Sequence, residues 1–226
     1  MPVRKPIQPV SSGGQETRQR LLETAARHFA EHGYKGASQR AILRELGMNP
    51  ATAHYYFGTK EALYRGVIDA SIHDIQEERL KRLGEIDAAV AGHERLRRLL
   101  YAYFYPHMRF TAMDAGRDYA TILAQVQSGA KDVAQEIFDD TVRPVRLKYL
   151  AALQKLFPTQ TAAEVDRALS MAVALMAVVA TWRRKSKVDP DECAHEWAEE
   201  LSTYAAAGFT ALFGQVAKPR ARAVAR

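Results

Sequence analysis

Residues 17–69 form a closely punctuated series of short helical patterns, and this punctuation constrains the fold more than any other feature of the chain. Leu21, Leu22, Ala25, Ala26, Phe29 and Ala30 fall on one helical stripe, with Arg18, Arg20, Glu23 and Arg27 largely away from it. The pattern predicts a first helix ending near Gly33. Ser38 suits an N-cap, and Ile42, Leu43 and Leu46 then face inward as far as Gly47, where the missing Cβ permits the positive φ of a sharp interhelical turn. Asn49 can cap the next helix. Pro50 suits its first turn, because the N–H that proline lacks would be unpaired there. That helix runs to about Tyr56. Thr59 then caps a longer helix, with Glu61 near its positively polarised N-terminus and Leu63, Val67 and Ile68 on its buried side.

Two short helices hinged at a glycine spell a helix-turn-helix, a device whose second helix enters the major groove of DNA. Charge distribution agrees with this reading. Residues 1–60 carry nine Lys or Arg against four Asp or Glu, residues 61–215 carry 19 against 22, and residues 216–226 carry four against none. Positive potential is thus confined to the two ends of the chain, as an electrostatic footprint for nucleic acid requires.

The same region resembles the tetracycline-repressor (TetR) family of bacterial transcription regulators. The resemblance rests on Thr17-Arg-Gln-Arg-Leu-Leu-Glu-Thr-Ala, on Phe29-Ala-Glu-His-Gly-Tyr-Lys-Gly-Ala-Ser38, and on Gly47-Met-Asn-Pro-Ala-Thr-Ala-His-Tyr-Tyr-Phe-Gly-Thr-Lys-Glu-Ala-Leu63. It implies DNA contacts from Ser38, Gln39 and Arg40 at the start of one helix. It implies further contacts from Ala51, Thr52, His54, Tyr55 and Tyr56 on the recognition helix, and a phosphate contact from Lys60. The chain departs from the family pattern at Ala53, where a larger aliphatic residue is common, and at His54, where a tyrosine is common. In chemical terms Arg40 can fork onto guanine O6 and N7, and Thr52 can offer a hydroxyl to a base or a methyl to thymine. Tyr55, Tyr56 and Lys60 suit phosphates, which fix register without reading sequence.

Helical periodicity continues to the C-terminal region with almost no strand-like alternation, so the expected fold class is all-α. Helices are expected from Thr59 to about Leu83, from Glu94 through Pro106, over 118–127, over 131–156 with Pro144 breaking it, over 162–184 and over 190–213. The expected domains are a flexible arm over 1–15, a helix-turn-helix domain over 16–62, a helical ligand-binding and dimerisation domain over 63–215, and a basic disordered tail over 216–226. The arm lacks the apolar stretch of a signal peptide, and the longest apolar run, Leu169–Trp182, is shorter than the about 20 residues needed to span a bilayer. A single cysteine, Cys193, rules out an intrachain disulfide framework and fits a reducing cytoplasm. Cys193 and His195 do not share a helical face, and no paired-Cys, His-Glu-x-x-His or Gly-rich phosphate motif is present, so no metal, cofactor or catalytic role is expected.

Palindromic operators in double-stranded DNA demand a two-fold symmetric protein, so a homodimer is expected. The family resemblance places the interface on the last two helices. Candidates there are Ala168, Ala172, Leu175, Met176 and Val179, with Trp197, Leu201, Tyr204, Ala205, Gly208 and Leu212. An aromatic-rich stretch around Pro106 supplies candidates for a small-molecule effector site: Tyr103, Phe104, His107 and Met108, joined by Tyr119, Phe138, Met171 and Trp182. The same stripe also fits a packed core, and the sequence leaves both readings open. The function implied is a cytoplasmic repressor released from its operator by a hydrophobic or aromatic ligand. The alternatives are a helical small-molecule-binding enzyme and a non-specific architectural DNA-binding protein.

Overall fold

A computed structural model describes residues 12–49, 55–128, 132–181 and 189–216. Among the described residues the secondary structure is helical throughout, with no strand. The helices are α1 (Ser12–Gly36), α2 (Gln39–Glu45), α3 (Lys60–Glu85), α4 (Gly92–Ala112), α5 (Arg117–Ser128), α6 (Val133–Gln154), α7 (Ala162–Val179) and α8 (Pro190–Phe213), with a 3-10 turn at Asp114–Gly116 before α5. The chain divides into two compact units, Met1–Ala70 and Ser71–Arg226. Of the segments read from sequence, most of the N-terminal arm and nearly all of the basic tail lie outside the described residues; the first helix begins at Ser12, inside the stretch read as an arm.

In the first unit the apolar stripe of α1 is buried as its spacing requires: Leu21, Leu22, Ala25 and Phe29 pack in a core with Ile42 and Leu43 of α2 and Leu63, Tyr64, Val67 and Ile68 of α3. The backbone of α1 leaves helical geometry at Gly33 (φ 67°, ψ 172°), the position where the sequence predicts its end. Phe29, Tyr34 and Tyr64 make edge-on and stacked ring contacts, with centroids 4.9 to 6.2 Å apart. Gly66 allows the closest approach: a Cβ there would lie 2.7 Å from Phe57 Cε1, so the Phe57 ring seats directly on the backbone of α3.

In the second unit α4 and α8 run antiparallel and are joined along their length. Arg97 pairs with Glu199, Tyr101 shares a 2.8 Å hydrogen bond with His195 Nδ1, and Arg109 Nε donates to Asp191 Oδ1 at 2.6 Å. Buried alanines at 194, 198, 205 and 206 leave room for the larger α4 side chains Leu96, Leu99, Leu100 and Phe104. A capping box starts α7, with the Thr161 hydroxyl accepting from the Glu164 N–H and the Glu164 carboxylate accepting from the Thr161 N–H.

Pro144 does not break α6, which runs unbroken from Val133 to Gln154. Pro144 and Asp140 are both exposed, so the carbonyl that loses its N–H partner can be hydrated. The helix starts later than the sequence suggests because Asp132 caps it, accepting from the N–H groups of Ala134 and Gln135.

Candidate DNA-binding head and body cavity

The head presents a short helix, a glycine turn and a helix N-terminus. Ser38 has extended backbone (φ −111°, ψ 117°) and its hydroxyl accepts from the Ala41 N–H at 3.4 Å, so the chain enters α2 with Gln39 half-buried and Arg40 exposed. Gly47 takes the left-handed φ of 63°, and the Met48 N–H closes the turn onto the Leu43 carbonyl at 2.9 Å. Glu45, the last residue of α2, accepts from Arg27 and hydrogen-bonds His28 Nε2 at 2.8 Å, which clamps the end of α2 to α1. The His28 hydrogen bond, helped by the Arg27 charge, holds the Glu45 carboxyl below the usual range.

Beyond the turn, Tyr55 and Tyr56 carry helical backbone and meet edge-on at 5.2 Å, with Tyr55 76% exposed. A large aromatic left in water on a basic head is available for contact. Thr59 Oγ1 accepts from the Ala62 N–H at 3.1 Å and starts α3. Lys60 holds a position that sequence does not reveal: its ammonium donates to the Lys35 carbonyl at 3.1 Å and lies 5.0 Å from the Tyr34 ring centre. It ties the start of α3 to the end of α1, and partial burial lowers its proton affinity. Ser38, Gln39, Arg40, Tyr55, Tyr56 and Lys60 thus all belong to the described head, whereas Ala51, Thr52 and His54 lie outside the described residues.

The second unit contains an open cavity of about 550 Å³ lined from α3 to α7. Three of the effector-site candidates line it, Tyr103, Tyr119 and Phe138, together with Leu123, Val173 and the interface candidate Met176 as apolar wall. Phe104, His107 and Met108 are buried in the adjoining core and are not part of the lining. Met171 is 53% exposed and turns away from the cavity onto the outer face of α7, and Trp182 lies outside the described residues.

Polar lining arises mainly from residues that sequence periodicity passed over. Arg146 Nε and Nη2 donate to Asp166 Oδ1 at 2.9 and 2.7 Å, and Nη2 also donates to Ser170 Oγ. Arg79 is 4% exposed; its Nε donates to the Tyr103 carbonyl at 2.8 Å, and its guanidinium lies 3.9 Å from the Tyr103 ring centre. The one available signal was its spacing. Arg79 follows Ile68, Ile72 and Ile75 on the buried stripe of α3, where a charged residue is out of place.

Of the apolar residues proposed for an interface, Ala168, Met176, Leu201 and Ala205 are buried within the single chain. Tyr204, Gly208 and Leu212 on α8 are exposed, as are Met171 and Val178 on α7. Among the described residues no group of His, Cys, Asp or Glu is arranged to hold a metal ion, and no helix is long and apolar enough to cross a membrane.

Among the described residues these features give a helical head with a glycine turn, followed by a helical body with an open cavity. Residues 21–67 match the bacterial regulatory proteins of the tetR family, and residues 101–208 match the tetracyclin repressor-like C-terminal domain. The chain belongs to the TetR family of transcriptional regulators. It is similar to the HTH-type transcriptional regulator UidR of Escherichia coli K12, 38% identical over 71 residues, which are 31% of this chain and 34% of UidR. The matched stretch therefore spans about a third of the length of that relative. Similarity to the HTH-type transcriptional regulator BetI of Agrobacterium fabrum is lower but longer: 25% identity over 148 residues, 66% of this chain and 68% of BetI. In fold the chain is similar to AibR, solved in complex with isovaleryl coenzyme A and operator DNA: the likeness has a TM-score of 0.55 and covers 88% of this chain and 98% of AibR at 16% identity.

Proposed function

We propose that this protein is a cytoplasmic, homodimeric repressor that occupies a palindromic operator and is released by a small hydrophobic or aromatic ligand bound in the body cavity. The observation that carries the reading is the head surface: Arg40 exposed on a Ser38-capped helix, with exposed Tyr55 beyond the Gly47 turn. Arg40 reads a base, while Tyr55, Tyr56 and the N-terminus of α3 hold phosphates. Residues 16–62 serve as the DNA-binding domain and residues 63–215 as the ligand-binding and dimerisation domain.

Dimerisation uses the face of α7 and α8 that carries Met171, Val178, Tyr204 and Leu212, side chains that are costly to leave in water. The cavity supports the effector reading, because a volume of about 550 Å³ with an aromatic wall suits a small molecule. Lys60 and Arg79 belong to the same helix, α3, so a ligand that engages the cavity acts on the element that opens in the head. Release requires the ligand to favour one spacing of the two heads over the other, since equal affinity for both shifts nothing.

The roles in the head separate by mutation. Arg40→Ala relaxes preference at particular operator bases, with a loss of about 1–3 kcal/mol for a bidentate base contact. Lys60→Ala weakens specific and random DNA alike and reduces the salt slope by about one if the lysine moves from Lys35 to a phosphate on binding. A folded Arg40→Ala variant with unchanged affinity and base preference would refute the assignment.

A further inference from the structure

The charges around the body cavity do not balance at its buried end. Arg146 is neutralised by Asp166, and Arg143 lies 3.6 Å from Asp140. Asp139 is exposed and accepts from Gln135. Arg79 has no carboxylate partner among the described residues although it is 4% exposed. Only its Nε is well bonded; Nη1 has a 3.4 Å bond to Gln76 Oε1, and Nη2 has none.

Further unmet hydrogen-bonding capacity surrounds this guanidinium. Gln76 Nε2 is buried without a partner, and so are both ring nitrogens of His107, whose residue is 0% exposed. The Arg79 charge acts on the His107 ring, and that ring is 5.6 Å from Tyr119 on the cavity wall. Buried polar groups are normally paired, and an arginine withdrawn from water is normally matched by an anion. Of these groups Arg79 is the one that lines the cavity, and its Nη2, with no hydrogen bond to a described residue, leaves a donor for an acceptor beside the aromatic wall.

We propose that the cavity binds a monocarboxylic acid with an aromatic or aliphatic body, its carboxylate forked onto the terminal nitrogens of Arg79. This identification of the ligand class rests on the effector-binding reading above. A guanidinium fork matches a carboxylate geometrically, and one negative charge balances that of Arg79, which no carboxylate among the described residues neutralises. A dianion such as a phosphate monoester would overshoot that balance and would also pass the exposed Asp139. The body of the acid lies against Tyr103, Tyr119 and Phe138. Tyr103 also fixes the anchor, because its carbonyl accepts from Arg79 Nε and its ring lies under the guanidinium.

The test uses the full chain with 3-phenylpropionate and octanoate, each beside its primary amide and primary alcohol, with binding followed by calorimetry and operator release followed separately. Each acid should bind about 10- to 100-fold more tightly than its amide, the range of a charge-assisted hydrogen bond. Arg79→Gln, checked for folding by its melting transition, should bring the acid down to the level of the amide. If that variant does not fold, the acid-to-amide ratio of the unmodified protein decides. Acids and amides of equal affinity, acids that do not bind at millimolar concentration, or an acid preference that survives in folded Arg79→Gln would overturn the proposal. Amides that bind and displace operator DNA as well as the acids do would remove the carboxylate assignment and leave the effector reading in place. Acids that bind preferentially without displacing DNA would do the reverse.

Discussion

Arg79 and Tyr103 are joined twice: Arg79 Nε donates to the Tyr103 carbonyl at 2.8 Å, and the guanidinium lies 3.9 Å from the centre of the Tyr103 ring. The pair links α3 to α4 at the wall of the cavity. Tyr149 of α6 supports both partners, donating its hydroxyl to the Arg79 carbonyl at 2.7 Å and meeting the Tyr103 ring edge-on at 5.0 Å. Tyr149→Phe keeps the ring contact and removes only the hydrogen bond, leaving a buried carbonyl short of a partner. We expect a loss of about 1–2 kcal/mol in chemical denaturation, with the cavity still able to bind ligand.

His107 makes the body sensitive to acid. Burial, helped by the Arg79 charge, pushes its pKa from 6.5 down to about 3. The unfolded chain therefore takes up a proton at this residue that the folded state refuses. This contribution is fully present above pH 6.5 and is lost as pH falls toward about 3, at up to about 1.4 kcal/mol per pH unit. His107→Leu removes two unpaired buried nitrogens and this titration together. Denaturation series between pH 7 and pH 4 should show a shallower decline in the variant, with stability near neutral pH within about 1 kcal/mol of the parent.

Gly66 is required by Phe57. A Cβ at this position would stand 2.7 Å from Phe57 Cε1 and 3.2 Å from Leu22 Cδ2. Gly66→Ala should therefore destabilise the protein by about 1–3 kcal/mol through overpacking, despite the better helix propensity of alanine. Thermal melts report the loss, and Phe57→Leu in the same chain should recover part of it.

The exposed apolar face of α7 and α8 makes a separate claim about assembly. Tyr204 is 70% exposed and Leu212 59% exposed, so neither side chain is used in packing the core among the described residues. The double variant Tyr204→Glu, Leu212→Glu should fold normally and sediment as a monomer, and it should lose most of its operator affinity because one head reaches only one half-site. A variant that remains dimeric places the interface elsewhere.

The boundaries of the head at Gly33, Ser38, Gly47 and Thr59 were legible in the sequence because local chemistry sets them, whereas the expected start of the recognition helix at Pro50 lies outside the described residues. Ser38 and Thr59 cap their helices through their own hydroxyls, and Gly33 and Gly47 take the positive φ that their positions demand. Body features that depend on packing were harder to read. Periodicity marked Tyr103, Tyr119 and Phe138 as apolar-face residues, and it equally marked Phe104 and Met108, which fill the core instead. Pro144 shows the limit of a local rule: its effect depends on whether water reaches the freed carbonyl, and that is a property of the tertiary fold. The internal tie from Lys60 to the Lys35 carbonyl and the unpaired charge of Arg79 depend on residues brought together across helices.

Operator recognition by the head is tested most directly by selecting bound fragments of genomic DNA with the purified full chain at physiological salt, then titrating the recovered sequence against a scrambled one. A sequence-reading dimer should recover a compact palindrome and prefer it by about 10³-fold or more. Random fragments bound with equal affinity would contradict the account and make the basic head a non-specific DNA contact.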